Sequence, residues 1–191
     1  MIYYYEFLEA LARTARFDLS IPPDTIEPNL KPLMNDKRIR HINRVLAPAF
    51  EGITSYTQIA GQCMPIHLKA RPILEAWLGC PVYFTLGWID DGSERGLHKF
   101  DEEFIADKLK NGHQESTINI HAWLTLPTME VIDLTLCTTF SILQNRKEGE
   151  GMVITKKADD MKGFSYKPML VGEEFIAKIG VLQQISWFDL E

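Results

Sequence analysis

The 191-residue chain has few cysteines, and the three present, Cys63, Cys80 and Cys137, stand far apart. An odd number at wide spacing makes a poor disulfide framework, and no Cys-x-x-Cys or Cys-x-x-His pair offers a structural zinc site. The thiols are therefore expected in the reduced form, which suits a reducing compartment. Long apolar runs are also missing: no segment approaches the ~18 uncharged apolar residues of a membrane-crossing helix. The first residues, MIYYYEFLEALARTARF, place Glu6 and Glu9 ahead of any basic side chain. A signal peptide needs a basic start and an apolar run, so none is read; a cytoplasmic location is expected, with signal-independent export left open. Positive charge is in deficit, 20 basic against 26 acidic residues, a net charge of −6. The densest basic stretch, Lys31 to Arg44, is interrupted by Asp36 and by apolar residues. It reads as a solvated helix face rather than the basic stripe of a nucleic-acid binder, so no nucleic-acid partner is expected. There is no Asp-x-Asp-x-Asp-Gly calcium loop, no internal repeat and no low-complexity tract. No metal or cofactor is expected.

What remains is ordinary globular usage, 46% hydrophobic and 24% charged. The length suits a single domain over 1–191. Tyr3, Phe7, Leu8, Leu11 and Ala15 recur at helical spacing over residues 2–16. Pro22, Pro23, Pro28 and Pro32 make residues 18–32 an irregular connection. A second helix is expected from about Asp36 to Ala47, ended by Pro48. Residues 51–62, EGITSYTQIAGQ, read as a loop. The following MPIHLKARPILEAWLG reads as a helix with Pro65 in its first turn, Pro72 as an internal kink and Gly79 as its stop. CPVYFTLGWI reads as a buried strand. Lys99 to Lys110 reads as a short charged helix, with Phe100, Phe104 and Leu109 on its apolar side and Asp101-Glu102-Glu103 in its first turn. STINIHAWLTL, MEVIDLTL and MVITKK read as strands, EEFIAKIG as a short helix and QQISWF as a last strand. Helices followed by a run of strands argue α+β rather than alternating βαβ.

Cys63 is the cysteine placed for chemistry. A glycine-containing loop leads in and a helix leads out. The unpaired N–H groups and dipole of a helix N-terminus favour a thiolate, and the same N–H groups can serve an oxyanion. Cys80, beside Pro81 at a strand start, and Cys137, after an apolar strand, read as small buried hydrophobes. Among five histidines, His121 lies inside an apolar strand, and Asp133 lies inside the next. A lone buried carboxylate is costly unless paired, which suggests that the two satisfy each other. Side chains alternate along a strand, so an odd hairpin loop, such as three residues at Leu126 to Thr128, puts His121 and Asp133 on one face. A two-residue loop would separate them, and Pro127-Thr128 is a poor type I′ pair. Cys63 as nucleophile, His121 as base and Asp133 as orienting acid form a thiol triad.

Gly61-Gln62-Cys63, the apolar helix, and then Leu78-Gly79-Cys80-Pro81-Val82 resemble the cysteine segment of the transglutaminase-like superfamily. His121-Ala122-Trp123 looks like that family's histidine motif, and Asp133-Leu134-Thr135 like its Asp-Pro-Thr motif, with Leu134 in place of proline. The resemblance covers roughly residues 56–137. It implies a papain/transglutaminase-like core over about 52–140, with the nucleophile helix packed on an antiparallel sheet. An N-terminal helical extension (about 1–50) and a C-terminal α/β extension (about 141–191) would flank it. It also implies an acyl-enzyme on Cys63 and a protein or peptide substrate, with the acyl group passing to water (peptidase, amidase or deamidase) or to an amine (transglutaminase). Met64 departs from the Trp that animal transglutaminases carry there. Gln62, Gln58 and Tyr56 are candidates to complete an oxyanion hole, and Trp123 and Trp88 to contact substrate; each is equally an ordinary loop or core residue. A non-catalytic interaction module of the same fold is the alternative. An acyltransferase fed by a phosphate-bearing carrier thioester would want a basic pocket, which the sequence does not show. His67, four residues after Cys63, reads as an exposed or core-satisfied helix residue ahead of a metal ligand beside Cys63, His121 and Asp133. His98 and His113 read as solvated.

Overall fold

A computed structural model describes residues 2–23 and 25–183. The chain folds in the order α1 (Ile2–Arg16), α2 (Asp36–Leu46), α3 (Cys63–Leu78), β1 (Tyr83–Asp90), α4 (Glu102–Asn111), β2 (His121–Thr125), β3 (Glu130–Asp133), α5 (Leu136–Leu143), β4 (Ile154–Lys157), β5 (Ser165–Val171) and α6 (Glu174–Lys178). The strands make one five-stranded antiparallel sheet in the order β4-β3-β2-β1-β5. The fold is α+β. Among the described residues no helix is long and apolar enough to cross a membrane.

The polypeptide divides into two compact units. The first is drawn from Met1–Pro22, Thr85–His121 and Lys162–Glu191. In it α1 packs along β5 through its buried face, Tyr3, Phe7, Ala10 and Thr14. Thr14 Oγ1 accepts the Val171 N–H at 2.9 Å and donates to Ala10 O at 2.8 Å. Arg13 reaches Met169 O at 3.1 Å. β5 was not expected, and Pro168 lies within it. Its edge position explains the tolerance: a strand at the end of the sheet has one hydrogen-bonding side unpaired, where a missing N–H costs little. Pro168 stands opposite Gly87, at an irregularity between Leu86 and Gly87. α4 starts two residues after Phe100, with Asp101 accepting the Phe104 N–H at 2.9 Å and Glu102 and Glu103 in the first turn, where carboxylates suit the helix dipole.

The second unit comprises Pro23–Phe84 and Ala122–Met161. Here α3 packs on α2 and on a 3-10 turn at Ala47–Phe50. Gly79 ends α3 in the left-handed region at φ 71°, where a side chain would be strained. Pro72 lies inside α3 without ending it. In the β2–β3 hairpin Leu124 pairs with Ile132 and Thr125 with Val131. Leu126 N bonds Glu130 O at 2.9 Å, and Met129 N bonds Leu126 O at 2.8 Å. The loop is therefore the three residues Pro127, Thr128 and Met129, one position later than expected, and the expected odd parity holds. Pro127 presets the turn, and Met129 takes the left-handed conformation at φ 64° that closes a three-residue hairpin.

Three local expectations are corrected. The strand expected over MEVIDLTL stops at Asp133, and α5 starts at Leu136. Cys137 therefore sits in the first turn of a helix, not after a strand. The strand expected over STINIHAWLTL is confined to His121–Thr125. QQISWF, apart from Gln183, lies outside the described residues.

Candidate active site

Cys63 is the first residue of α3 and is half-buried. Gly61 enters at φ 76°, and Gln62 occupies the N-cap position without a side-chain cap. No side chain of the preceding residue thus takes the N–H groups that open the helix. Cys80 and Cys137 are also half-buried, but burial pushes both thiols above their ordinary value. At Cys80 Arg38 opposes that push. At Cys137 Asp133 adds to it. A helix N-terminus alone does not make Cys137 acidic, since desolvation and a nearby carboxylate both act the other way.

Asp133 is the last residue of β3 and is fully buried. Its Oδ1 accepts from Thr135 N at 3.0 Å, Thr135 Oγ1 at 3.3 Å and Leu136 N at 3.0 Å. These bonds turn the chain out of the sheet and into α5. Val131 pairs with Thr125, and alternate residues share a face. Asp133, two residues after Val131, therefore points to the same face of the sheet as Thr125 and Trp123.

Between the first turn of α3 and the end of β3 lies His67, with no exposed surface. Its Nδ1 is 2.6 Å from Cys63 O, and its Nε2 accepts the Leu134 N–H at 2.9 Å. With Nε2 accepting, the proton sits on Nδ1 and is donated to Cys63 O, so the ring is neutral. Nε2 is also 3.7 Å from Asp133 Oδ1, beyond hydrogen-bond reach, and the shorter Leu134 contact decides the tautomer. In this unit the structure thus brings Cys63, His67 and Asp133 together. His67 pins the first turn of α3 to the strand end that carries the carboxylate. The i, i+4 spacing from Cys63 was the signal for a shared face.

His121 opens β2 and is buried. Within its unit it stacks on His98, with ring centroids 6.1 Å apart and planes 18° apart, and on Tyr166 at 6.5 Å. His98 is half-buried in the left-handed region at φ 60°, and its Nδ1 is 3.0 Å from Asn119 Oδ1. Burial first, and the neighbouring His121 second, hold its imidazole below the ordinary value of 6.5, against the Asn119 hydrogen bond. The expectation of a solvated His98 is corrected. So is that for His113, which is buried and whose ring nitrogens have no hydrogen-bond partner among the described residues.

The remaining candidates fall in varied surroundings. Gln62 is exposed. Gln58 Oε1 accepts from Thr54 N, Thr54 Oγ1 and Ser55 N at 2.7, 3.1 and 3.0 Å, closing a capping box on the turn Tyr56–Gln58. Tyr56 is exposed, and its ring packs so closely on Gly151 that a Cβ there would lie 2.7 Å from it. Trp123 is fully buried in the core. Trp88 is half-buried beneath Lys99, whose Nζ lies 5.0 Å from the ring centroid. Among the described residues no group of three or more His, Cys, Asp or Glu side chains is arranged to hold a metal ion. Compared with known protein families, with curated proteins and with solved structures, the chain matches none of them.

Proposed function

We propose that this chain is a thiol enzyme of the papain/transglutaminase-like kind, transferring an acyl group from an amide through Cys63. In this reading the Cys63 thiolate attacks the carbonyl and His121 takes the thiol proton. That proton passes to the departing amine as the tetrahedral intermediate collapses to a thioester. Water or an amine then resolves the thioester. Asp133 orients the histidine, and the first N–H groups of α3 stabilise the oxyanion. The observation that carries the reading is the half-buried Cys63 at the start of α3, tied through His67 to the strand end that bears Asp133. The odd hairpin loop supports it, since it has the parity that the reading requires and sets Asp133 on the face of Trp123 and Thr125. His67 is a poorer base than His121: both its ring nitrogens are engaged by backbone groups.

Alkylation by iodoacetamide near neutral pH tests the proposal. Cys63 should react well above a free thiol model and above Cys80 and Cys137, and His121→Ala should slow it at least about tenfold. Alkylation of Cys63 no faster than the free thiol, and unchanged in His121→Ala, would leave the interaction-module alternative instead.

A further inference from the structure

Residues Lys31 to Arg44 read from sequence as a solvated basic face. The structure gives that face a shape. Lys37, Arg38, His41, Arg44 and Val45 of α2, with Asn35 before it and Trp77 of α3, line a groove of about 670 Å³. All of them belong to the second unit. The four ionisable side chains follow one another at helical spacing along one wall, the Trp77 indole stands against them, and no carboxylate lines the groove. This local excess of positive charge occurs in a chain of net charge −6. Arg38 is braced by its bond to Leu33 O at 2.8 Å, and His41 Nδ1 by Lys37 O at 2.7 Å.

We infer that this groove is a docking site for an acidic polypeptide segment bearing an apolar or aromatic side chain. Two guanidinium groups suit bidentate carboxylate recognition, while Trp77 and Val45 give an apolar side chain a place to pack. The stripe from Lys37 to Arg44 is about 10 Å long at ~1.5 Å per residue, which spans about three residues of extended peptide at ~3.3 Å each. A nucleic acid fits less well, because its affinity comes from many phosphate contacts, and a stripe this short meets few of them. The groove is separate from the Cys63 turn. Trp77 follows Cys63 by 14 residues in α3 (77 − 63), or about 21 Å along the helix. The site therefore goes beyond the acyl-transfer reading. The two meet only if the docked segment belongs to that enzyme's substrate.

The test is fluorescence anisotropy with the labelled peptide Glu-Glu-Leu-Glu-Glu, its Gln-substituted counterpart, a single-stranded RNA of similar length, and ADP as competitor. The acidic peptide should bind the full chain, weaken with added salt, and bind Cys63→Ala equally well. Lys37→Glu/Arg44→Glu, two exposed positions, should weaken it at least about tenfold while the circular dichroism spectrum is unchanged. Trp77→Phe reports on the groove through a milder loss. Equal binding of the Gln peptide, tighter binding of RNA or ADP, or full binding by the doubly substituted but folded chain would each overturn the inference. Because binding is read in Cys63→Ala, its failure is distinct from failure of the catalytic proposal.

Discussion

Replacing His67 by leucine should destabilise the protein by about 3 kcal/mol, and the structure says where that figure comes from. The ring is fully buried and stands between two backbone groups. Leucine leaves the Leu134 N–H, at a residue 1% exposed, without its acceptor at 2.9 Å. An orphaned buried donor costs about 1–3 kcal/mol. The lost Nδ1–H bond to Cys63 O adds about 1 kcal/mol at most, since that carbonyl lies within the helix and has a second lone pair. Leucine is apolar and close in size, so the cavity contribution is small. With a urea m-value of about 2 kcal/mol/M, the midpoint should fall by about 1.5 M, followed by far-ultraviolet circular dichroism. His67→Gln should recover part of the loss, because an amide oxygen can accept the Leu134 N–H. A His67→Leu midpoint within about 0.3 M of the parent chain would refute the argument that this ring pins α3 to β3.

Glu130, 1% exposed, accepts from Leu33 N at 2.6 Å, Met34 N at 2.8 Å and Thr128 Oγ1 at 2.6 Å. Glu130→Ala orphans these donors at about 1–3 kcal/mol each, so it should cost about 3–5 kcal/mol and open the 25–35 segment to limited proteolysis; an unchanged urea midpoint and digestion pattern would contradict this. Burial and His121 hold His98 below 6.5, so the unfolded chain takes up that proton more readily. The stability His98 contributes is present above about pH 6.5 and is lost as pH falls through its lowered folded value. Urea midpoints at about pH 5 and pH 7.5 should therefore differ more in the parent chain than in His98→Gln; equal differences would contradict the stacking account. His113, whose ring nitrogens have no hydrogen-bond partner among the described residues, should be replaceable by leucine with a neutral or raised thermal midpoint, because the substitution removes a desolvation cost. A marked fall would show that the ring has a partner.

Local chemistry made much of this structure legible from sequence. The helical spacing of Tyr3 and Phe7, the Pro65 entry and Gly79 exit of α3, and the acidic start of α4 each act within a few residues. The hairpin parity was legible because Pro127-Thr128 is poor in a two-residue turn. What escaped depends on contacts distant in sequence or on competition between local options. MEVIDLTL is a continuous apolar run that suits strand or helix alike, and Asp133 decides the matter by capping the turn into α5. β5 tolerates Pro168 because it is an edge, which is a property of the sheet and not of the strand. Glu130 alternates like a surface residue, yet it is buried by the amides of residues 33 and 34. His98 meets His121 across 23 residues (121 − 98), through a left-handed backbone that its own side chain does not favour. The spacing of Cys63 and His67 was visible, but the backbone donor at Leu134 that explains it was not.

The central claim is that Cys63 carries an acyl group. Incubation with p-nitrophenyl acetate, followed by rapid quench and peptide mass analysis, tests it directly. The account predicts a burst of p-nitrophenol, one acetyl group on Cys63 that is subsequently released, and loss of both burst and label in Cys63→Ala and His121→Ala. Label spread equally over Cys63, Cys80 and Cys137, or a burst that survives both substitutions, would contradict it.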